Sequence, residues 1–461
     1  MGRKISTKPL SALFFFIMMV GDLPASQSAD IASSVRCRVE RATLSDAISI
    51  ALCNSSDLRG QSAKTSAAKM RIDYRKSFYY PRLDIGGGRK IKDVDADYYY
   101  TDNVYSDRSV SYRRPEADLS LELSWLLYDF GKRNSDLDES KKLSDVAEAD
   151  YDVETQRVIY NVALLYADYE ISEQKSLLMR EFLDSAARML EVIAEKNKVG
   201  AGIQSDYLSL LANHQKARLR LEEAVHNRNT KKLQLNAAIG LEPQESVDFV
   251  SGIQSYTALS DLEEIQGPMP QISQRNPRLV SAINDYEASL DRIEAIRADQ
   301  KPKLSLQLSG GRSDSASYDY TYEATTSTVS LNFSYNLFDG FSNRSLLREA
   351  IYASEQKKES IETLNKQISL AISQSLDSID FVRTQAPIAD KLQKTAESSF
   401  NVNMEKYKAG AGSINDILIS QQAFLEAKLS SFDLVLTWRQ AWLDLLQAAG
   451  NLTISRVSGA Q

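Results

Sequence analysis

The sequence predicts a mixed, mostly α-helical fold built from two copies of one unit: an amphipathic β-hairpin followed by a pair of long helices. Three observations predict it. Lys198-Val199-Gly200-Ala201-Gly202 followed by Asp206 recurs as Lys408-Ala409-Gly410-Ala411-Gly412 followed by Asp416, an offset of 210 positions in a chain of 461. Long stretches poor in glycine and proline flank both copies, so each glycine turn reads as the tip of a helical hairpin. Upstream of each helical pair, after Pro81 and Pro302, the apolar residues change to a period of two, which is the pattern of a strand with one wet and one dry face.

At the N-terminus, Arg3, Lys4 and Lys8 precede an apolar run from Leu10 to Val20, and Pro24, Ala25, Ser26, Ser28 and Ala29 supply small residues for cleavage. Residues 1–29 therefore read as a secretory signal peptide, the apolar run falling well short of the roughly 20 residues that span a bilayer. The chain has two cysteines, Cys37 and Cys53, which bracket one short helical stretch. In an exported protein they permit a local disulfide, with two separate thiols as the alternative.

The first repeat occupies residues 30–240. Thr43 is placed to cap a helix whose apolar face is Leu44, Ala47, Ile48 and Ala51, and helical patterning resumes from Leu58 to Tyr80 until Pro81 stops it. A β-hairpin follows over 82–127: Leu83 and Ile85 mark its first strand, and Leu119, Leu121, Leu123, Trp125 and Leu127 alternate with polar residues in its second. Gly86-Gly87-Gly88 is expected to end the first strand, since it lacks the helix and Lys-Ser/Thr of a phosphate loop. After Tyr128-Asp129-Phe130-Gly131, the span from Lys132 to Lys198 has no glycine or proline and as one helix would be about 100 Å long. The tip at 199–202 leads to a descending helix from Gln204 to Ile239.

Residues 241–275, with Pro243, Pro268 and Pro270, form an inter-repeat linker. The second repeat, 276–450, starts at Asn276-Pro277 and runs as a helix to Pro302. Its β-hairpin covers 303–337, with Leu304, Leu306 and Leu308 on one strand and Val329, Leu331, Phe333, Tyr335 and Leu337 on the other. A helix from Asn343 to Lys408 contains Pro387, where a kink is expected. The tip at 409–412 and a helix from Ile414 to about Ala449 complete the repeat, and 451–461 is a short, loosely held tail. The two prolines that start the hairpins lie 221 positions apart, against 210 for the tips. Both tyrosine-rich hairpin loops lie between these markers, and an insertion in the first loop accounts for the difference.

Other signals exclude whole classes of function. A net charge of -7 without a basic stripe argues against nucleic acid as a partner. Asp129-Phe130-Gly131 spells a kinase metal-binding motif, yet no other kinase motif accompanies it, so it reads as a turn. His214 and His226 lie about 120° apart on one helix, a poor arrangement for a metal. No constellation of nucleophile, acid and base is present; neither catalytic residues, a metal site nor a cofactor is expected.

Four strands with one apolar face are too few to close a membrane barrel, because an open sheet in lipid leaves edge backbone groups unpaired. Several copies of the chain must then contribute strands. The alternative is an exported, non-transporting coiled-coil scaffold carrying two water-soluble hairpins.

The duplicated order of short helix, proline-led hairpin, Tyr128-Asp129-Phe130-Gly131 or Phe338-Asp339-Gly340 junction, long helix, glycine tip and long helix resembles the TolC-type outer-membrane factor family from about Thr43 to Leu452. The resemblance implies a homotrimer in which the hairpins form a 12-stranded transmembrane β-barrel in outer-membrane lipid and the long helices an α-helical barrel across the periplasm. It implies an exit duct for type I protein secretion or drug efflux, partnered by a periplasmic adaptor and an inner-membrane ABC or proton-driven pump. The tips at Val199, Gly200, Ala201, Ala409, Gly410 and Ala411 would then dock the adaptor. Asp416 matches the first of a family aspartate pair at the periplasmic gate, with Ile419 at the second position and Gly412 where a family arginine stands. Tyr407 matches a latch tyrosine, and Asp206 with Ser205 matches its first-copy partners.

Overall fold

The computed structural model describes residues 41–98, 108–198, 203–250, 275–316 and 321–458. The signal peptide, Cys37, the first tip from Val199 to Gly202, and Tyr99, Tyr100, Tyr105, Tyr318 and Tyr320 of the hairpin loops lie outside those residues. Cys53 is disulfide-bonded.

A short strand β1 (Arg41–Ala42) leads to α1 (Leu44–Asn54). Thr43 caps α1 in a reciprocal box: the Asp46 amide donates to Thr43 Oγ1 at 3.3 Å and the Thr43 amide to Asp46 Oδ2 at 3.0 Å. Leu44, Ala47, Ile48 and Ala51 are buried, so the apolar face read from the sequence is the packed one. After α2 (Ser56–Ser77) the chain enters the sheet through β2 (Arg82–Tyr98) and β3 (Arg108–Tyr128).

Two long helices follow, α3 (Lys132–Lys198) and α4 (Gln204–Ala238), then β4 (Asp248–Phe249), which pairs in parallel with β1. The second copy consists of α5 (Pro277–Asp299), β5 (Lys303–Ala316), β6 (Thr321–Ser334), α6 (Ser342–Lys408) and α7 (Ile414–Ala448), with α8 (Ile454–Ser458) after it. The ascending helices α3 and α6 both have 67 residues and the descending α4 and α7 both have 35, lengths of about 100 and 50 Å.

Pro387 does not interrupt α6, which runs through it without a break. Pro387 and Arg383, whose carbonyl loses its helical partner there, both lie on the exposed side, where water can satisfy the freed group. Among the described residues no helix is long and apolar enough to cross a membrane.

The strand-to-helix junctions are built alike. Asp129 Oδ2 accepts from the Arg133 amide at 3.0 Å, and Asp339 Oδ2 accepts from the Asn343 amide at 2.9 Å, so each aspartate covers the first turn of a long helix. Phe130, Gly131, Gly340 and Phe341 all have positive φ, which is how the chain reverses within a few residues. Arg133 then fastens α3 to the sheet by donating to the carbonyls of Leu126 at 2.8 Å and Phe78 at 3.0 Å.

The sheet is antiparallel in the order β2-β3-β5-β6, so β3 and β5 join the two hairpins. Its register puts Leu83, Leu123, Leu308 and Val329 in one row and Trp125, Leu306 and Leu331 in the next row of that face. On the opposite face Asp84, Glu122, Ser309 and Thr328 share a row, followed by Arg82, Ser124, Gln307 and Ser330. Gly86-Gly87-Gly88 lies inside β2 and does not end it. A Cβ on Gly86 would stand 3.2 Å from Ser120 Oγ and one on Gly88 3.2 Å from Asp118 Oδ1, so the small residues make room for neighbours across the strand pair. The second hairpin ends earlier than its alternation suggests, with Tyr335, Asn336 and Leu337 beyond β6.

The main core lies at the joint where the two repeats meet. Ile48, Tyr166, Leu235, Phe249, Ile372, Trp442 and Leu445 belong to one buried cluster drawn from both copies. The linker contributes to it: Leu241, Val247 and Phe249 are buried, and the Tyr166 hydroxyl donates to the Val250 carbonyl at 2.6 Å. The tail is also fixed rather than loose, since Leu452 and Val457 are in the same core. Asn276 caps α5 through Oδ1 and donates from Nδ2 to the Ala448 carbonyl at 2.9 Å, which ties the start of the second repeat to its end.

Candidate functional site

The second-copy tip is resolved to the level of its hydrogen bonds. The Gly410 amide donates to the Tyr407 carbonyl at 3.0 Å and the Ala411 amide to the Lys406 carbonyl at 2.9 Å, the crossed pair of a Schellman ending to α6. Ala409 is the last helical-type residue, and Gly410 has φ +79°, a conformation in which a side chain is strained. Gly412 serves differently: a Cβ there would lie 2.9 Å from the Tyr407 amide nitrogen, so the returning chain passes too close to α6 for any side chain.

The two descending helices start differently. On α7, Ser413 Oγ accepts from the Asn415 amide at 3.1 Å, and the Ser413 amide donates to Asp416 Oδ2 at 3.4 Å, a capping box with Asp416 as its acidic member. Asp416 is exposed, as is Ile419 one turn later at 70%. On α4 the cap position is Ile203, which makes no side-chain cap, and Asp206 sits in the first turn beside exposed Ser205.

A small apolar cluster holds both hairpins together near this end. Met189 and Ile193 of α3, Leu210 of α4, and Ile414 and Ile417 of α7 are buried against one another, with Tyr407 and Phe400 of α6 packed on them. Burial pushes the Tyr407 phenol up from its ordinary value, and the negative charge of Asp206 adds to the shift. The structure therefore brings Tyr407, from the second copy, under the influence of Asp206, from the first. Asp416 is tied locally, its backbone carbonyl accepting from Asn403 Nδ2 at 3.3 Å.

At the other end of the molecule the sheet leaves one apolar face uncovered. Ile85, Val329 and Phe333 are 76%, 73% and 70% exposed, whereas the opposite face carries a polar ladder in which Gln307 joins Glu122 to Asn332. Leu83, Leu119 and Leu331 on the apolar face are exposed as well, the kind of contiguous apolar patch that marks a protein or membrane interaction surface. The ladder was missed in reading the sequence; its only signal is the polar residues alternating with the apolar stripe.

A model of the outer membrane efflux protein family matches residues 47–241 and 269–451, both structural repeats. The chain belongs to that family. It is accordingly an outer-membrane transport protein and not an enzyme. Similar proteins include Protein CyaE of Bordetella pertussis, 23% identical over 423 residues that cover 92% of this chain and 87% of that one. The outer membrane protein TolC of Salmonella enteritidis is 23% identical over 417 residues, covering 86% and 79%. Among solved structures, the outer membrane channel CmeC of Campylobacter jejuni superposes with a TM-score of 0.76 at 17% identity, covering 90% of this chain and 88% of that one, and so shares its fold.

Proposed function

We propose that three copies of this chain form a closed exit duct: a 12-stranded β-barrel in the outer membrane continuing into an α-helical barrel through the periplasm. The observation that carries this reading is the four-stranded sheet whose outer strands, β2 and β6, each have one edge with no partner among the described residues, together with its exposed apolar face. In lipid those edges must pair with further strands, and a neighbouring copy presents the complementary edge. The duct serves type I protein secretion, drug efflux, or both, with a periplasmic adaptor docked on the tips at Val199, Gly200, Ala201, Ala409, Gly410 and Ala411. An inner-membrane ABC or proton-driven pump selects the cargo. Asp416, Asp206, Ser205 and Tyr407 line the periplasmic gate, where Asp416 repeated about the threefold axis makes an acidic ring.

Planar-bilayer recording of the purified protein, alongside gel mobility with and without heating, tests this. Steady conductance from a heat-dissociable trimer is expected. A water-soluble monomer without conductance would overturn the duct and favour the scaffold.

A further inference from the structure

The polar face of the sheet is not uniform along the strands. Nearest the helices the bases on this face are each paired, Arg82 with Asp84 and Lys303 with Asp299, and through the apolar band behind it β3 adds Glu122 and Asp118. One step further out the sign reverses. Lys90 Nζ and Lys92 Nζ both lie 3.3 Å from Glu116 Oε2, and Arg114 Nε lies 3.3 Å from Glu116 Oε1. Three cations thus share one carboxylate, leaving two positive charges per chain in this cluster. The Glu116 side chain is 16% exposed beneath them, whereas Lys90 and Lys92 are 56% and 54% exposed. Arg114 is braced from β5, donating to Ser315 Oγ at 2.9 Å.

The register fixes which way this cluster faces. Lys90, Glu116, Ser315 and Tyr322 are directly paired in one row, and alternation places Lys92, Arg114, Asp118 and Glu122 on the same face. That is the face opposite Leu83, Leu123, Leu308 and Val329. If the apolar face meets lipid, the cluster points into the lumen, about 20 Å along the strand from Glu122 towards the outer end.

We propose that this cluster, resting on the duct reading above, is an anion-binding ring at the outer mouth that engages carboxylates carried by acidic polypeptide as cargo leaves. Three copies bring the two net positive charges of Lys90, Lys92, Arg114 and Glu116 together three times at one level of a low-dielectric wall, with Asp118 one row below, a geometry that concentrates anions. The outer mouth therefore has the charge sense opposite to the acidic side chains at the periplasmic tips, and a polyanion is captured at the exit end.

The probe is poly-glutamate added to the outer side of single channels of the full-length protein, compared between wild type and the double variant Lys90→Gln, Lys92→Gln. Neither lysine is needed to bury a side chain, and Arg114 with Glu116 stays paired, so the barrel is retained. Wild-type channels are expected to be blocked, with block weakening at high salt, and the variant to need at least about tenfold more polyanion. Equal block of both proteins, or none of either, in channels that conduct normally overturns the exit ring and leaves the duct intact. A wild-type protein that never conducts overturns both.

Discussion

Glu170 on α3, fully buried, is ion-paired with Arg439 of α7, and the pair crosses from one repeat to the other inside the joint. Charges removed from water in this way are costly to leave without their counter-charge. Glu170→Gln or Arg439→Met should each cost about 3–5 kcal/mol, read as a lowered midpoint of thermal unfolding. The double replacement by methionine should recover most of that loss. Equal loss in the single and double variants would argue that packing, and not pairing, dominates there.

The capping role of Asp416 and its proposed role in the gate separate experimentally. As the acidic member of the capping box on α7 it contributes about 1 kcal/mol to stability, and Ser413→Ala should remove a similar amount. Only Asp416→Ala should also reduce the preference of the channel for cations, measured as the reversal potential across a salt gradient. If Ser413→Ala moves the reversal potential equally, the acidic ring is not the source.

Two glycines should respond unequally to alanine. Gly410 (φ +79°) has open space around a new Cβ, so Gly410→Ala carries the strain of the backbone alone, about 1–2 kcal/mol. At Gly450 (φ +68°) the same Cβ would lie 2.6 Å from the Arg275 carbonyl oxygen, so Gly450→Ala should be the more destabilising of the two. Thermal midpoints of the two variants check the order.

Alkaline pH should loosen the joint. Burial raises the phenol of Tyr169 to about 12, and burial also raises Tyr160 and Tyr166, helped by Asp444 and Glu170 respectively. A phenol raised in the folded chain stabilises it fully below the ordinary value near 10 and progressively less as pH climbs towards the folded value. The midpoint of unfolding is therefore expected to hold to about pH 10 and fall steeply above it. A level midpoint up to about pH 12 would refute the role of these tyrosines.

Much of the architecture was legible because it depends on residues with strong local preferences. The absence of glycine and proline from Lys132 to Lys198 marks one helix, and Gly410 marks its counterpart's end, since both act through backbone geometry. Asn276 before Pro277 announced a helix start for the same reason. Where neighbours decide, the sequence misleads. Gly86 to Gly88 suggest the end of a strand until Ser120 and Asp118 are seen across from them, and Pro387 suggests a break that the continuous α6 does not have. The coupling of Tyr407 to Asp206 was out of reach except through family likeness, because the two residues lie in different repeats and meet only by tertiary packing. The lysine and arginine cluster around Glu116 is scattered over two strands in the sequence and is brought together only by their register.

The equality of the long helices restricts how this gene can change. Each residue in a helix advances the chain by about 1.5 Å and turns it by about 100°, so deleting one residue from α6 alone would shorten one leg and rotate its whole far end relative to α3. Contacts such as Ile193 with Ile417 would then fall out of phase, and the far ends of α3 and α6 would no longer be level. Length changes are tolerable only when both copies change together or by whole turns, which is why the hairpins, in strands as well as loops, and not the legs, hold the difference between the two halves. A duplication whose side chains have diverged is thus still measured out in matching lengths.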